Sequence, residues 1–213
     1  MPVDTRRRIL DVAEGLFAAD GFAATSLRDI TAAARVNLAA VNYHFGSKEA
    51  LLAAVLERRV APINAVRLQM LDEAEAKAGR HPVDLEELLR ALLAPPFRYP
   101  AEPNERRRFL QLTGRLSSMP HERVRVIVHD QFEEVTRRFV PAFRKALPHL
   151  DEEEVGWRIF LVIGAMLHTM TWCGVVETFD GRQRDSEEML ETLVAFAHRG
   201  MLAPARSAAR VQA

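Results

Sequence analysis

Apolar residues recur along this chain with the spacing of amphipathic α-helices. One face of a first predicted helix carries five of them at positions i, i+3, i+4, i+7 and i+8: Ile9, Val12, Ala13, Leu16 and Phe17. Gly21 follows, and glycine is a common residue just beyond a helix C-terminus. Because no alternating run of β-branched residues is present, the pattern predicts an all-α protein.

Capping residues divide the following segment into short helices. Ser26 and Asp29 have the spacing of a capping box that opens a second helix. Asn37 is expected to cap a third helix and Ser47 a fourth. The second and third helices are therefore short, and a tight turn near Arg35 joins them.

Longer helices are predicted from the fourth helix onward, which brings the total to about nine. Their expected ranges are 47–78, 84–94, 104–118, 121–147, 151–177 and 185–201. Pro95 and Pro96 are expected to follow the end of one helix, while Pro62 and Pro141 are expected to kink or divide others. Residues 204–213 are expected to form a flexible tail.

Three short helices within the first 48 residues fit a helix-turn-helix unit. The first two helices hold the third outward, so that its exposed side can enter the major groove of DNA. Val41 and Phe45 lie four residues apart and are expected to face the core. The side facing away from the core is expected to carry Leu38, Ala39, Asn42 and Tyr43.

A run of residues between Thr5 and Leu52, about a quarter of the chain, carries a wider pattern. Its positions are Ile9-Leu10, Ala13, Leu16-Phe17, Gly21-Phe22, Thr25-Ser26-Leu27, Ile30, Ala34, Val36-Asn37, His44-Phe45-Gly46-Ser47-Lys48-Glu49 and Leu51. This run resembles the DNA-binding domain of the TetR family of transcriptional regulators. The resemblance implies a homodimer that binds a palindromic operator and releases DNA when a small molecule enters the C-terminal domain. It places the DNA-binding domain at residues 1–48 and the helical effector-binding and dimerisation domain at residues 49–203.

Two positions depart from the family pattern. Arg35 stands where a glycine usually ends the second helix, so a non-glycine residue is expected in the left-handed conformation, at a cost of about 1–2 kcal/mol. Asn42 stands where a tyrosine is usual, and Tyr43 follows it. The variant from Asn37 to Lys48 resembles a narrower subgroup, the PsrA-type fatty-acid-responsive regulators, and the segment 153–165 is more loosely similar to their C-terminal half.

Side chains on the third helix are candidates for reading bases. The amides of Asn37 and Asn42 can pair with adenine, and Ala39 and Ala40 can contact thymine methyl groups. Leu38 lies on the same exposed side. Helix capping is the alternative role for Asn37. Since no Arg or Lys lies between Val36 and Phe45, we expect an operator with A/T pairs in each half-site.

Other residues are candidates for phosphate contacts. Lys48 lies at a helix N-terminus, where a cation and free N–H groups suit a phosphate. The alternatives are capping for Ser26, a solvated face for Arg28 and a place in the core for His44. The further phosphate candidates are Thr25, Ser26, Arg28, Tyr43 and His44.

Apolar residues of the C-terminal half are candidates for lining a pocket for an apolar effector. Methionines adapt well to flexible apolar ligands, although residues at helical spacing form core more often than pocket. The resemblance favours a fatty acid or an acyl-CoA as the effector, with a drug-like aromatic compound as the alternative. Arg115 is a candidate for holding the carboxylate or phosphate head group of such an effector. The apolar candidates are Phe109, Leu112, Met119, Phe132, Phe139, Trp157, Phe160, Ile163, Met166, Leu167 and Met170.

Charge is distributed unevenly along a chain whose net charge is zero, with 29 Lys+Arg against 29 Asp+Glu. Residues 104–150 contain ten basic and five acidic side chains, including Arg106, Arg107 and Arg108. These arginines suit an anionic ligand or DNA, or form a solvated face. Residues 1–48 have a net charge of only +1, so binding to DNA is expected to rest on a few placed contacts and to depend modestly on salt.

The segment from Ile159 to Val176 contains no charged residue over 18 positions. This length just reaches that of a membrane span, but a helix that is apolar on all sides also forms the buried centre of a water-soluble protein, and we expect the latter. The helices over 151–177 and 185–201 have wide apolar stripes. These are expected to pack against a second copy of the chain in a four-helix interface.

Other classes of function have little support in this sequence. Nucleotide-binding glycine motifs, metal-ligand spacings and catalytic signatures are absent, so neither an enzyme nor a cofactor or metal site is expected. One cysteine, Cys173, and an N-terminus without an apolar segment favour a cytoplasmic protein. A helical adaptor that does not bind DNA is the remaining alternative. The operator, the regulated genes and the direction of the effector's action stay open.

Overall fold

The computed structural model describes residues 2–99, 102–117 and 122–205, and all regular structure in these ranges is helical. The all-α prediction is therefore confirmed. Ten helices follow one another in this part of the chain: α1 Pro2–Ala19, α2 Leu27–Ala34, α3 Leu38–Phe45, α4 Lys48–Ala78, α5 Leu85–Arg98, α6 Pro103–Ser117, α7 Glu122–Asp130, α8 Glu133–Ala146, α9 Glu152–Asp180 and α10 Ser186–Leu202.

The helix predicted over 121–147 is two helices, and this division raises the count from nine to ten. Pro141 lies inside α8, whereas the break falls at Gln131 and Phe132. The amides of both residues donate to carbonyls three positions earlier, at 3.2 and 2.9 Å, as in a turn. The carbonyl of Gln131 accepts a hydrogen bond from Nδ2 of Asn64 at 2.6 Å, so a residue of α4 satisfies a group that the break leaves outside the helical ladder.

Pro95 and Pro96 lie within α5, which the prediction ended at residue 94. Proline lacks an N–H group, so Pro96 cannot donate to the carbonyl of Leu92, four residues earlier. That carbonyl instead accepts a hydrogen bond from Nε of Arg67 at 2.8 Å. Arg67 is 4% exposed, and this contact with α4 replaces the hydrogen bond that the proline removes.

Two compact units divide the chain, the first comprising Met1–Asn64 and Pro100–Glu133, the second Ala65–Tyr99 and Glu134–Ala213. The first unit reaches beyond the DNA-binding domain predicted for residues 1–48. The reason is that Leu112 and Leu116 of α6 and Val124 of α7 share a core with the helices of that segment. The buried members from those helices and from α4 include Ile9, Ala13, Phe17, Ile30, Ala34, Val41, Leu51, Leu52 and Val55.

The second unit packs α10 against α5 and α9, and Arg158 of α9 holds the end of α10. The guanidinium group of Arg158, 8% exposed, donates to the carbonyls of Met201 at 2.8 Å and of Ala203 at 2.6 Å. It also donates to the carbonyl of Pro204 at 3.0 Å. The predicted flexible tail of residues 204–213 therefore starts with an anchored residue, and residues 206–213 lie outside the described ranges.

Within a single chain, the described side chains of helix α9 are buried on one side only. Val155, Val162 and Met166 are at most 8% exposed, because this side packs inside the second unit. The α9 apolar face, as we name the opposite side, consists of the exposed residues Trp157, Phe160, Leu161, Trp172 and Val175.

One helical stretch in the described part of the chain, Glu152–Trp172, is long and apolar enough to cross a membrane. This finding rests on length and composition alone, and core helices of water-soluble proteins meet the same criteria. A third of the stretch is buried within the protein, which gives it a packed side and an exposed side rather than a uniform apolar surface.

Candidate nucleic-acid interface

Helix α2 begins at the predicted capping box. The Oγ of Ser26 accepts a hydrogen bond from the amide of Asp29 at 3.1 Å, and Oδ2 of Asp29 accepts one from the amide of Ser26 at 2.8 Å. The hydrogen bonds from the hydroxyl and the amide of Ser26 lower the pKa of Asp29. The carboxylate therefore stays ionised at the helix N-terminus, where the helix dipole favours a negative charge.

The turn between α2 and α3 contains the strained residue that the sequence predicted. Arg35 has φ 52° and ψ 48°, which is the left-handed conformation, and it is the one non-glycine residue with positive φ among those the structure describes. Its amide donates to the carbonyl of Ala32 at 3.2 Å, and the amide of Val36 donates to that of Thr31 at 3.0 Å. These bonds end α2 and turn the chain towards α3.

Helix α3 has one buried and one exposed side, as predicted. Val41 is fully buried in the core of the first unit, and Phe45 packs against that core. Outside the core, Leu38 is 44% and Tyr43 is 85% exposed. Ala39 and Asn42 are exposed as well. A single short helix with an uncharged exposed side can enter a major groove and contact base edges there directly.

The two asparagines of this segment differ in their contacts. Oδ1 of Asn37 accepts a hydrogen bond from the amide of Ala40 at 2.8 Å, so Asn37 caps α3. Bidentate pairing with adenine needs that oxygen as an acceptor. Asn42 is exposed in the middle of α3 and is the stronger candidate for reading a base.

Two of the predicted phosphate contacts have other roles. Thr25 is 3% exposed and its hydroxyl donates to the carbonyl of Gly21 at 2.8 Å, so the side chain belongs to the core and does not face DNA. The hydroxyl of Ser26 lies 2.6 Å from Oδ2 of Asp29 and is committed to the capping box. The structure thus favours the capping alternative for Ser26 over the phosphate contact.

Lys48 lies at the first position of α4, next to the cap formed by Ser47. Oγ of Ser47 accepts a hydrogen bond from the amide of Ala50 at 3.0 Å. The ammonium group of Lys48 lies 4.3 Å from the centroid of the Phe22 ring, a cation–π contact that fixes its position. Partial burial lowers the pKa of Lys48, against the opposing effects of Glu49 and Asp29.

The remaining phosphate candidates are exposed or half-buried. Arg28 and Tyr43 are exposed, while His44 is half-buried. The rings of Tyr43 and His44 meet edge to face with centroids 5.1 Å apart, and His44 lies 6.1 Å from the ring of Phe45. His44 therefore borders both the exposed side of α3 and the core.

Arg6 is a basic residue near α3 that the sequence interpretation missed. Its Cζ atom lies 5.3 Å from the centroid of the Phe45 ring, so a cation on α1 stands next to the end of α3. The run Arg6-Arg7-Arg8 was the available signal. Such a run is usually a solvated face, and only the contact with Phe45 singles out one of its members.

A buried ion-pair cluster connects α1 with α4 and α6 inside the first unit. Glu14 of α1 is 1% exposed and accepts hydrogen bonds from Arg58 at 2.5 Å and from Nε of Arg59 at 3.0 Å. Arg59 also donates to Glu105 of α6 at 3.1 Å, and Arg58 to Asp11 at 2.5 Å. The cluster fixes α1, and with it the core side of α2 and α3.

The basic segment over residues 104–150 is compensated in part by ion pairs within the protein. Four of its cations pair with carboxylates, in Arg123–Glu49, Arg137–Glu134, Arg138–Asp72 and Arg144–Glu152. The side chains of Arg106 and Arg107 lie outside the described residues, and Arg108 is exposed. Internal ion pairing was not among the predicted roles of this segment.

The predicted pocket residues are divided between the two units, and two of those in the first unit have structural contacts. Leu112 is fully buried in the core shared with α1. Arg115 donates to the carbonyl of Ala19 at 2.5 Å, at the end of α1. Phe109 and Phe132 are half-buried, and Met119 lies outside the described residues. Leu112 and Arg115 thus stabilise the packing of α6 against α1 in the first unit.

In the second unit the pocket candidates lie on different sides of their helices. Met166 and Met170 are 5% and 8% exposed, and Ile163 and Leu167 are half-buried. Phe160 is 65% exposed, on the α9 apolar face, where its ring centroid lies 5.7 Å from that of Trp157. Neither Phe160 nor Trp157 can line an internal pocket, because both lie on the outer side. Phe139 is 2% exposed and packs on Phe143 in the core.

Comparison with known proteins shows two matching families. The family described as "Bacterial regulatory proteins, tetR family" matches residues 9–55. The one described as "Tetracyclin repressor-like, C-terminal domain" matches residues 90–200. The first match spans the helix-turn-helix unit and its capping residues.

Individual relatives are transcriptional regulators. The HTH-type transcriptional repressor NicS of Pseudomonas putida is 37% identical over 90 residues, 42% of this chain and 39% of that protein. An HTH-type transcriptional repressor of Mycobacterium tuberculosis is 53% identical over 49 residues, 23% of this chain and 26% of that protein. The matched parts thus span less than half the length of these relatives.

Solved structures of similar fold extend over nearly the whole chain. A TetR-family transcriptional regulator from Bordetella parapertussis has a TM-score of 0.61 at 20% identity, covering 90% of this chain and 93% of that one. At this identity the likeness shows the fold. Since both halves match the corresponding family descriptions, over residues 9–55 and 90–200, the chain belongs to the TetR family of bacterial transcriptional regulators.

Proposed function

We propose that the protein is a cytoplasmic transcriptional repressor that binds a palindromic operator as a homodimer and responds to a small apolar effector. The observation that carries the DNA-binding part is the exposed, uncharged side of α3 next to Lys48 at the start of α4. A short helix with one free side, flanked by a fixed cation, suits a major groove bordered by phosphates.

Asn42 is the proposed base-reading residue. An amide pairs with adenine through one donor and one acceptor, and Asn42 is exposed at mid-helix. Ala39 on the same side suits contact with a thymine methyl group. Because α3 contains no Arg or Lys, we expect A/T pairs in each half-site.

Asn42→Ala and Lys48→Ala together test this assignment. Selection from random DNA first supplies the operator, and fluorescence anisotropy then measures binding across a salt series. Asn42→Ala is expected to weaken binding about tenfold or more and to relax selection at one base position. Lys48→Ala is expected to weaken binding to all sequences alike and to lower the salt slope by about one. Half-sites of G/C pairs only, or a sequence-specific loss in Lys48→Ala, would contradict it.

The α9 apolar face supports the homodimer. Trp157, Phe160, Leu161 and Trp172 are each 56–65% exposed, although exposed apolar patches of this kind are costly in a monomer. Gly164 on the same helix has no heavy atom within 4 Å of the place of a Cβ atom, which leaves room for a close helix. Two copies related by a two-fold axis would bury both faces, and a palindromic operator follows from that symmetry.

The second unit contains residues that suit an acidic effector with an apolar tail. Nη2 of Arg67 lies 3.9 Å from Sδ of Met166, and Met170 follows one turn later on α9. Burial lowers the pKa of Arg67 to about 10, so its guanidinium remains charged at neutral pH. A cation beside adaptable thioether side chains fits a carboxylate on a hydrocarbon chain. This fit and the resemblance to fatty-acid-responsive regulators support an acyl effector.

A thermal-shift series of matched ligands tests the acyl effector. Fatty acids, the corresponding fatty alcohols and acyl-CoA esters of each chain length are compared with aromatic drug-like cations. We expect stabilisation by an acyl compound at one range of lengths, and a smaller shift with the alcohol than with the acid, since the alcohol lacks the charge. Stabilisation by the aromatic compounds alone would favour the alternative effector.

A helical adaptor that does not bind DNA is the other class to exclude. A gel shift with the DNA upstream of the protein's own gene, where such regulators often bind, separates the two. A specific, competable complex supports the regulator. Binding that unrelated DNA abolishes equally well would favour the adaptor.

A further inference from the structure

A cavity in the first unit is lined by residues that the proposed functions leave mostly unused. It has a volume of 550 Å³, within the range of small-molecule sites. Helices α1, α3, α4 and α6 contribute its lining residues: Arg6, Arg7, Leu10, Asp11, His44, Arg58, Arg59 and Glu105. All of them belong to the same compact unit.

Positive charge exceeds negative charge around this cavity. Four arginines line it, against the carboxylates of Asp11 and Glu105 and the buried carboxylate of Glu14 behind Arg58 and Arg59. All three carboxylates already accept hydrogen bonds from Arg58 or Arg59. The excess charge therefore remains for an incoming anion.

Arg58 lines the cavity and has an unused hydrogen-bond donor. Its Nε is buried and lacks a hydrogen-bond partner, which distinguishes it from the other buried side-chain nitrogen and oxygen atoms that the structure describes. A buried donor without an acceptor is costly, and few occur in native proteins. An oxygen atom of a bound ligand would satisfy it once the guanidinium group turns its Nε–H towards the cavity.

Arg6 supplies a second guanidinium group whose position is fixed from one side. Its stacking on Phe45 holds it at the end of α3, next to His44. Leu10, which is 3% exposed, adds a small apolar surface one helical turn away on α1. The lining thus combines two guanidinium donors with an apolar wall, which suits an anionic group on a small organic body.

We propose that this cavity binds a small organic anion through a carboxylate or phosphate group, held by Arg6 and Arg58, with its apolar part against Leu10. The inference goes beyond the proposed repressor function, because the site lies within the DNA-binding unit and shares no residue with the proposed effector site. The DNA backbone offers the same phosphate chemistry as a free metabolite, and the test separates these two sources.

Phenyl phosphate is the probe, titrated into the full-length protein without DNA at constant ionic strength. The measurements are calorimetric affinity and the NMR signals of the arginine Nε–H groups. Arg6→Gln is compared with Arg8→Gln, which removes the same charge from the same helix but does not line the cavity. Both arginines are exposed, so neither substitution is expected to unfold the protein.

We expect the Nε–H signal of Arg58 to shift saturably with phenyl phosphate. Arg6→Gln is expected to lower the affinity about tenfold, and Arg8→Gln less than twofold. Absence of a saturable shift, or equal losses in both variants, would overturn the proposal. Because DNA is absent from this titration, its outcome does not depend on whether the protein is a repressor.

A second titration with a DNA duplex present assigns the source of the anion. If phenyl phosphate displaces DNA from the wild-type protein but not from Arg6→Gln, the site holds a backbone phosphate. If the protein binds both together, the site belongs to a free metabolite. Both outcomes support an anion site, whereas displacement that is equal in wild type, Arg6→Gln and Arg8→Gln would contradict it.

Discussion

Arg35 has a strained backbone conformation whose cost is offset by the hydrogen bonds of the surrounding turn. Its left-handed φ of 52° costs an L-residue about 1–2 kcal/mol. The amides of Arg35 and Val36 nevertheless donate to carbonyls of α2, and α3 follows immediately with its own cap at Asn37. The hydrogen bonds of the turn therefore outweigh the strain of one backbone position.

Arg35→Gly is expected to stabilise the protein. Glycine adopts the left-handed conformation without a steric cost but adds entropy to the unfolded chain, so the free energy of unfolding should rise by about 0.5–1 kcal/mol. Urea denaturation at pH 7 measures it. Arg35→Ala is the control, because it removes the exposed side chain and keeps the strain. Equal stabilisation by alanine would show that the side chain, and not the backbone, carries the cost.

At the scale of helices, ion pairs between α5 and α10 connect the two chain segments that form the second unit. Arg90 lies 2.5 Å from Glu191, and Arg98 pairs with Glu187. Hydrogen bonds from Arg98 and Arg90 lower the pKa values of Glu187 and Glu191 below the usual 4.5. Because the folded-state pKa values are lowered, the pairs stabilise the fold above pH 4.5 and lose this effect as the pH falls through the folded-state values.

Glu191→Gln is expected to flatten the acid limb of the stability curve. The variant lacks one group whose protonation opposes folding, so its free energy of unfolding should fall less steeply than that of the wild type below pH 4.5. Urea denaturation from pH 7 downward measures both proteins. Arg90→Gln should produce a similar flattening, because it removes the partner. A Glu191→Gln curve parallel to the wild type would show that the pair makes no such contribution.

At the scale of the whole molecule, the zero net charge is the sum of segments that pair with one another. Four cations of residues 104–150 bond carboxylates, three of which lie outside that range at Glu49, Asp72 and Glu152. These pairs reduce the positive charge that is available for unspecific attraction to DNA. A regulator of this kind depends on a few fixed contacts, and on doubling them by dimerisation.

Leu161→Glu is expected to disrupt the proposed homodimer. Leu161 is 62% exposed in the α9 apolar face, and a carboxylate there would be buried without a partner in the interface. Light scattering should report the monomer mass of 24.0 kDa, and operator affinity should fall about 100-fold or more. Val126→Glu, a matched change at a 54% exposed residue of α7, should leave both unchanged. A dimeric Leu161→Glu would place the interface elsewhere.

The sequence by itself determined the elements that rest on local interactions. The capping box of Ser26 and Asp29, the strained Arg35 and the cap at Asn37 involve partners within about four residues. Such hydrogen bonds follow from residue type and spacing alone. The two sides of α3 followed as well, since helical periodicity assigns Val41 and Tyr43 to opposite sides.

Only the tertiary structure decided the features that depend on distant partners. Pro96 stays inside α5 because the carbonyl of Leu92 accepts a hydrogen bond from Arg67, 25 residues away in the sequence. Glu14 is buried because Arg58 and Arg59 reach it from α4. Exposure of Phe160 follows from which side of α9 the second unit covers. A sequence pattern records residue types and spacing, whereas the burial of a side chain depends on the surface that folding brings against it.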